Sequence, residues 1–80
     1  MAEIKNIHKI VYYHRKQAGL SRKELAELAD VGKTVVYDLE KGKNTLRWKT
    51  IISILSALNI TIEFQGPLMK EYEKSSSKNT

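Results

Sequence analysis

The feature that most constrains the fold is a pair of short helical patterns with only three residues between them. The first pattern covers residues 22–29 and the second covers residues 33–41, separated by residues 30–32. In both patterns apolar residues recur at three- and four-residue steps, as on the buried face of an amphipathic helix. Ser21 precedes the first pattern with Glu24 three positions later, which is the signature of a capping box. The apolar face of this first pattern consists of Leu25, Ala26, Leu28 and Ala29.

Two further helical patterns and one strand pattern flank this pair. A first helix is predicted over residues 4–18, ended by Gly19, because glycine adopts the left-handed cap conformation easily. A fourth helix is predicted over residues 48–58. From residue 60 the apolar period changes to two, which indicates a half-buried strand over residues 60–65. The expected fold class is therefore mainly α, with four to five helices and one C-terminal β-strand.

The length allows one domain. Residues 1–67 form the expected folded unit, and Gly66 followed by Pro67 is a strong stop. Residues 68–80 are polar and rich in serine, so we expect a tail that is disordered or ordered only by a partner. The chain has no cysteine, and so small a core gives little net stability, which favours oligomerisation as the additional source of stability.

The charge of the chain indicates a polyanionic partner. Lys and Arg number 14 against 9 Asp and Glu, a net charge of +5, which favours nucleic acid. Two short helices joined by a three-residue turn are typical of a helix-turn-helix, and Ala26 is small enough to let two helices cross closely. These features together favour DNA binding, while a purely structural helical hairpin is the alternative.

Other classes of function lack candidate residues. His8 and His14 face different sides of the first helix, and no cysteine or carboxylate cluster accompanies them, so we expect no metal and no cofactor. No set of side chains suggests catalysis, so an enzyme is not expected. No apolar run is long enough for a membrane span or a signal peptide, and the expected location is the bacterial cytoplasm, on the nucleoid.

Residues 20–43, which read LSRKELAELADVGKTVVYDLEKGK, resemble the DNA-binding core of the Xre/Cro family of phage-type repressors. The resemblance extends from the first helix to Leu58. Two positions depart from the family pattern. Asp30 replaces a glycine in a left-handed turn, which Asp tolerates better than most residues. Gly32 replaces a Ser or Thr cap and lacks the side-chain oxygen, which weakens any phosphate contact there.

The resemblance implies a recognition helix over the second pattern. Val36 and Leu39 face the core, so the opposite side of this helix points outward. The family's base-reading positions correspond to Lys33, Thr34, Tyr37 and Asp38. Lys can reach guanine and Asp can accept a hydrogen bond from cytosine. Asp38 could equally be a helix-face residue kept away from phosphate, and Tyr37 could contact either a base edge or a phosphate.

The resemblance also implies contacts to the DNA backbone and one internal ion pair. Candidate backbone contacts are Arg22, Lys41, Lys43, Asn44 and Arg47, for which a solvated basic loop is the alternative. Arg15 and Glu40 match a family pair that links the first helix to the recognition helix. Such a pair would hold the recognition helix at its docking angle.

The C-terminal strand supports a second, narrower resemblance. A helix-turn-helix followed by one strand and a short polar tail is similar to the HipB-like antitoxins that accompany HipA-type kinase toxins. In that family the strand pairs with its copy in a homodimer, which implies an interface through Ile60, Ile62 and Phe64. A single strand also needs a partner on physical grounds, because its edges and apolar face are otherwise uncovered. The alternative is a strand folded back on its own helices.

The function expected from these resemblances is that of a transcriptional autorepressor which is also the antitoxin of a type II toxin-antitoxin module. Its partners would be a palindromic double-stranded operator, a second copy and a HipA-type kinase toxin. The first alternative is a stand-alone phage-type or restriction-modification controller. The second is a protein-interaction adaptor that does not use DNA.

Overall fold

The computed structural model describes residues 6–43 and 45–78. It confirms the mainly α class over these residues, and it ends the first predicted helix one residue earlier, while residues 4 and 5 of that helix lie outside the described part. None of the described helices has the length and apolar content needed to cross a membrane. The helices, in chain order, are α1 (Ile7–Gln17), α2 (Arg22–Ala29), α3 (Lys33–Glu40), α4 (Trp48–Ala57) and α5 (Met69–Lys78).

The start of α2 is the predicted capping box. Ser21 Oγ accepts a hydrogen bond from the Glu24 backbone N–H at 3.0 Å, and Glu24 Oε1 accepts from the Ser21 backbone N–H at 2.8 Å. Two backbone donors that the first turn of a helix leaves without an intrahelical partner are thereby satisfied. The hydrogen bonds from Ser21 also lower the pKa of Glu24, the backbone one most strongly.

The turn between α2 and α3 has the expected left-handed residue. Asp30 has φ 57° and ψ 47°, and the Val31 N–H donates to the Ala26 carbonyl at 2.9 Å, which closes the end of α2. Gly32 is the N-cap of α3 and makes no side-chain cap bond. The substitution of glycine by Asp30 therefore leaves the turn intact.

The hydrophobic core lies where α2 meets α3 and α4, with α1 packed against α3. Ala26 is buried, as expected for a close helix crossing. Leu28, predicted on the buried face, is 62% exposed. Because residues two apart lie about 160° around a helix on its shorter side, Leu28 and Ala26 face nearly opposite directions. The buried apolar residues are Val11, Leu25, Ala26, Ala29, Val36, Leu39, Ile54 and Leu55.

The predicted C-terminal strand is not found in the described residues of the single chain. Residues 60–66, called the C-terminal segment below, are neither helix nor strand. Ile60 packs against the core, whereas Ile62 is 37% and Phe64 71% exposed. A β-strand needs a neighbouring strand to accept and donate its ladder hydrogen bonds, and no other described segment supplies one.

The tail after residue 67 was predicted to be disordered or ordered only by a partner, whereas residues 69–78 form α5 in the single chain. Met, Lys and Glu at its start favour helix, and Glu71 lies in the first turn, where a negative charge is favourable. The Tyr72 N–H donates to the Leu68 carbonyl at 3.0 Å. Leu68 and Tyr72 are nevertheless more than half exposed, so α5 forms locally and does not extend the core.

Candidate nucleic-acid interface

The outward side of α3 presents the four residues of the recognition stripe: Lys33, Thr34, Tyr37 and Asp38. Lys33 and Thr34 are exposed in the first turn. Tyr37 is 41% exposed one turn later, and Asp38 is partly exposed. Val36 and Leu39 are buried on the opposite side, and this burial turns the stripe away from the core.

A groove of about 590 Å³ runs beside this stripe, between α1 and the first turns of α2 and α3. Its walls hold five basic side chains, and a groove of one charge sign concentrates ligands of the opposite sign. Lys16 and Lys23 were not among the predicted DNA contacts. Lys23 directly follows Arg22 at the start of α2, and this adjacency was the available signal. The lining residues of this basic groove are Tyr12, Arg15, Lys16, Ser21, Arg22, Lys23, Lys33, Thr34 and Tyr37.

Arg15 and Glu40 lie in contact between α1 and α3. Arg15 Nε donates to Glu40 Oε2 at 2.6 Å and Nη2 donates to Oε1 at 3.0 Å. Nη1 donates to the Leu20 carbonyl at 2.8 Å. Both side chains are nearly buried, and the hydrogen bonds to Glu40 raise the pKa of Arg15, so its guanidinium stays charged. Such a bidentate pair has a defined geometry and holds α3 against α1.

Arg22 also contacts Glu40, which therefore accepts from two arginines. Arg22 Nε donates to Glu40 Oε1 at 3.1 Å. The Arg22 guanidinium carbon lies 5.2 Å from the centre of the Tyr37 ring, and Lys41 Nζ lies 4.9 Å from the same centre. Arg22 and Lys41, two candidate contacts to the DNA backbone, thus lie against one aromatic ring of the recognition stripe.

Asp38 contacts Lys43, which is one of the candidate contacts to the DNA backbone. Lys43 Nζ donates to Asp38 Oδ2 at 3.4 Å, and the Lys43 backbone N–H donates to the Asp38 carbonyl at 3.0 Å. The Lys43 side chain is 52% exposed and the Asp38 side chain 27% exposed, so solvent weakens the ion pair. The contact agrees with the alternative in which Asp38 is a helix-face residue, and it leaves Asp38 accessible to a base.

The remaining predicted site residues do not line the groove or lie outside the residues that the structure describes. Arg47 is the exposed N-cap of α4, and Asn44 lies outside the described residues. Of the predicted dimer contacts, Ile60 is half-buried against its own chain while Ile62 and Phe64 face solvent. Among the described residues no group of His, Asp or Glu side chains is placed to hold a metal ion.

Comparison with known proteins identifies the family of the chain. Residues 11–65 match the family model described as Helix-turn-helix. This span includes residues 11–17 of α1 and all of α2, α3 and α4. The uncharacterized HTH-type transcriptional regulator y4mF of Sinorhizobium fredii is 34% identical to this chain over 62 residues, which is 78% of this chain and 82% of that protein.

Proposed function

The chain belongs to the helix-turn-helix family of DNA-binding transcriptional regulators, and we propose that it represses transcription by reading a palindromic operator through α3. The observation that carries this proposal is the position of the exposed stripe on α3 at the edge of a groove with five basic side chains. Phosphate contacts along the groove would position the protein, and the stripe would then meet base edges in the major groove. The cytoplasm, where the chromosome lies, is the corresponding place of action.

Lys33 and Thr34 are the base readers that the geometry supports best. Both are exposed at the N-terminal end of α3, the end with which a recognition helix contacts bases. Lys can donate to guanine O6 and N7, and Thr can hydrogen-bond a base or contact the thymine methyl group. Asp38 remains a candidate acceptor from cytosine, at the expense of its contact with Lys43.

Basic residues around α3 are the proposed phosphate contacts. Arg22 opens α2 beside the groove, Lys41 ends α3, and Lys43 and Arg47 are exposed in the stretch before α4. Asn44 belongs to the same stretch and is proposed from sequence alone. These residues carry no base information, so they contribute affinity and register.

We propose a homodimer because a palindrome is read by two copies related by a two-fold axis. The C-terminal segment supports this proposal because its residues 61–65 make no backbone–backbone hydrogen bond within the described part of the chain, and because Ile62 and Phe64 are exposed. Pairing the segment with its copy would supply the missing ladder bonds and cover these side chains. Ile60 would link the paired segment to the core, against which it already packs.

The antitoxin role is the finer part of the proposal. It rests on the sequence of residues 60–80, whose alternating pattern and polar ending resemble the strand and tail of HipB-like antitoxins. Exposed surface outside the basic groove is also present: Tyr13 is exposed on α1 and does not line the groove, and aromatic residues are enriched in protein interfaces. In this role the protein partner of the chain would be a HipA-type kinase toxin. The stand-alone controller is the second candidate, and the helix α5 favours it because the antitoxin resemblance rests on a strand and a polar tail.

One co-expression experiment separates these two candidates. The chain is co-expressed with the product of the adjacent gene and purified, alongside a matched chain that ends at Pro67. The antitoxin reading expects a complex with two copies of this chain that still binds DNA, because α3 is not consumed by the toxin. Absence of any complex at micromolar concentration would leave the stand-alone controller as the function.

A further inference from the structure

The ring of Tyr37 lies against two cations that come from different parts of the chain. Arg22 is the first residue of α2, and Lys41 is the C-cap of α3, one turn after Tyr37. Both charged groups lie within the roughly 6 Å at which a cation is attracted to an aromatic face. The contact therefore joins the start of α2 to the end of α3 on the exposed side of the recognition helix.

We propose that Tyr37 is a positioning residue whose ring holds Arg22 and Lys41 as a preformed clamp for one DNA phosphate region. This inference rests on the proposed function, since it assigns a role within the same DNA-binding site. It differs from base reading, in which the Tyr37 hydroxyl would hydrogen-bond a base edge. A clamp uses only the ring face.

The hydrogen bonds of Arg22 support the clamp. Its Nε donates to Glu40 Oε1, and Glu40 is held by two hydrogen bonds from Arg15. Among the described residues no hydrogen bond uses the two terminal nitrogens of Arg22. Those nitrogens carry four N–H donors, which remain available to phosphate oxygens. Arg22 is thus fixed at Nε and over the ring, while its donating end stays open.

The ring attracts both cations of the clamp. Arg22 already lies against the Glu40 carboxylate, and the negative face of the aromatic ring adds a second attraction for Arg22 and a contact for Lys41. Holding both side chains in place before binding reduces the conformational entropy that is lost when DNA binds. Lys41 is exposed and has no ion pair among the described residues, so its ammonium group can meet a phosphate from this position.

The clamp is tested with two substitutions at one position. Tyr37→Phe keeps the ring and removes the hydroxyl, whereas Tyr37→Leu removes the ring. Binding is measured by fluorescence anisotropy on a duplex selected with the wild-type protein and on a scrambled duplex, over a range of salt concentrations. Thr34→Ala is the matched control on the same face of α3. A thermal melt followed by circular dichroism verifies that each variant is folded.

The clamp predicts that Tyr37→Phe binds both duplexes like the wild type. Tyr37→Leu should bind both duplexes roughly tenfold more weakly, with a shallower salt dependence, because two phosphate contacts are less well placed. Thr34→Ala should instead weaken the selected duplex alone. Equal binding by Tyr37→Leu and the wild type would overturn the clamp, as would a change of base preference in Tyr37→Phe.

A measurement without DNA keeps this result distinct from the proposed function. Proton NMR should show the Arg22 Hδ and Lys41 Hε signals shifted upfield by the ring in the wild type and in Tyr37→Phe, and unshifted in Tyr37→Leu. Unshifted signals in the wild type would overturn the clamp directly. A wild-type protein that shows the shifts and binds no duplex would overturn the proposed function, and with it the assignment of the cluster to phosphate.

Discussion

Arg15 on α1 donates two hydrogen bonds to Glu40 on α3, and the Glu40 side chain is only 3% exposed. Glu40 also accepts from Arg22 at the start of α2. One carboxylate therefore connects three helices, and it lies at the C-terminal end of the helix that we propose reads DNA. The orientation of that helix depends on this carboxylate as well as on the apolar core.

Removing the charge of Glu40 should destabilise the fold strongly. Glu40→Gln leaves Arg15 nearly buried without a counter-charge, which costs about 3–5 kcal/mol of unfolding free energy. Urea denaturation measures the loss. Asp38→Asn is the matched control, because its pair with Lys43 is exposed and contributes at most about 1 kcal/mol. Equal losses in the two variants would contradict the role of Glu40.

The capping box predicts a pH dependence. The hydrogen bonds from Ser21 lower the pKa of Glu24 below its ordinary value of 4.5. Because the folded pKa is the lower one, the contribution to stability is complete above the ordinary value and is lost as the pH falls through the folded value. NMR titration of the Glu24 carboxyl carbon should give a midpoint below 4.5.

The same titration in Ser21→Ala should return the Glu24 midpoint towards its ordinary value. Loss of the Ser21 cap should also lower the unfolding free energy by about 1 kcal/mol at neutral pH. Thr61→Ala, at an exposed position in the C-terminal segment, is a control that should leave the Glu24 midpoint unchanged. An unshifted midpoint in the wild type would mean that the box does not persist in solution.

Dimerisation should depend on the C-terminal segment. Ile62→Pro removes a backbone donor that a paired strand needs, so sedimentation velocity should show monomers and operator binding should weaken. Glu63→Gln keeps the backbone donor at the neighbouring position and should remain dimeric. If Ile62→Pro stays dimeric at micromolar concentration, the interface lies elsewhere.

Local features of the site follow from the sequence, and the Arg15–Glu40 pair was predicted through the family resemblance and is present. The capping box at Ser21 depends on neighbouring residues, so spacing alone predicts it. The left-handed conformation of Asp30 was expected from the family resemblance.

Other side-chain contacts of the site were not predicted. The contacts of Tyr37 with Arg22 and of Asp38 with Lys43 depend on how helices cross and on the rotamers of long side chains, which no residue pattern encodes.

The prediction for residues 60–80 differed from the structure for another physical reason. Alternation of Ile60, Ile62 and Phe64 predicts an extended segment, but a strand also requires a partner strand, which residues 6–43 and 45–78 of one chain do not supply. The residues of α5 look polar and serine-rich as a group, and this composition concealed the helix-forming start at Met69. Resemblance to a family predicted the helix-turn-helix, which is confirmed, and the C-terminal strand, which is not found in the described residues.

The central claim, that α3 reads DNA sequence, is tested most directly by the base preference of recognition-helix variants. Duplexes selected from a random library by the wild type, by Lys33→Ala, by Thr34→Ala and by Lys43→Ala are sequenced and their affinities measured. The wild type should select a palindrome with half-sites about one helical turn apart, roughly 34–36 Å. Lys33→Ala and Thr34→Ala should each lose about 1–3 kcal/mol and relax the preference at one position, while Lys43→Ala should weaken all sequences alike. An unchanged base preference in both α3 variants would contradict the claim.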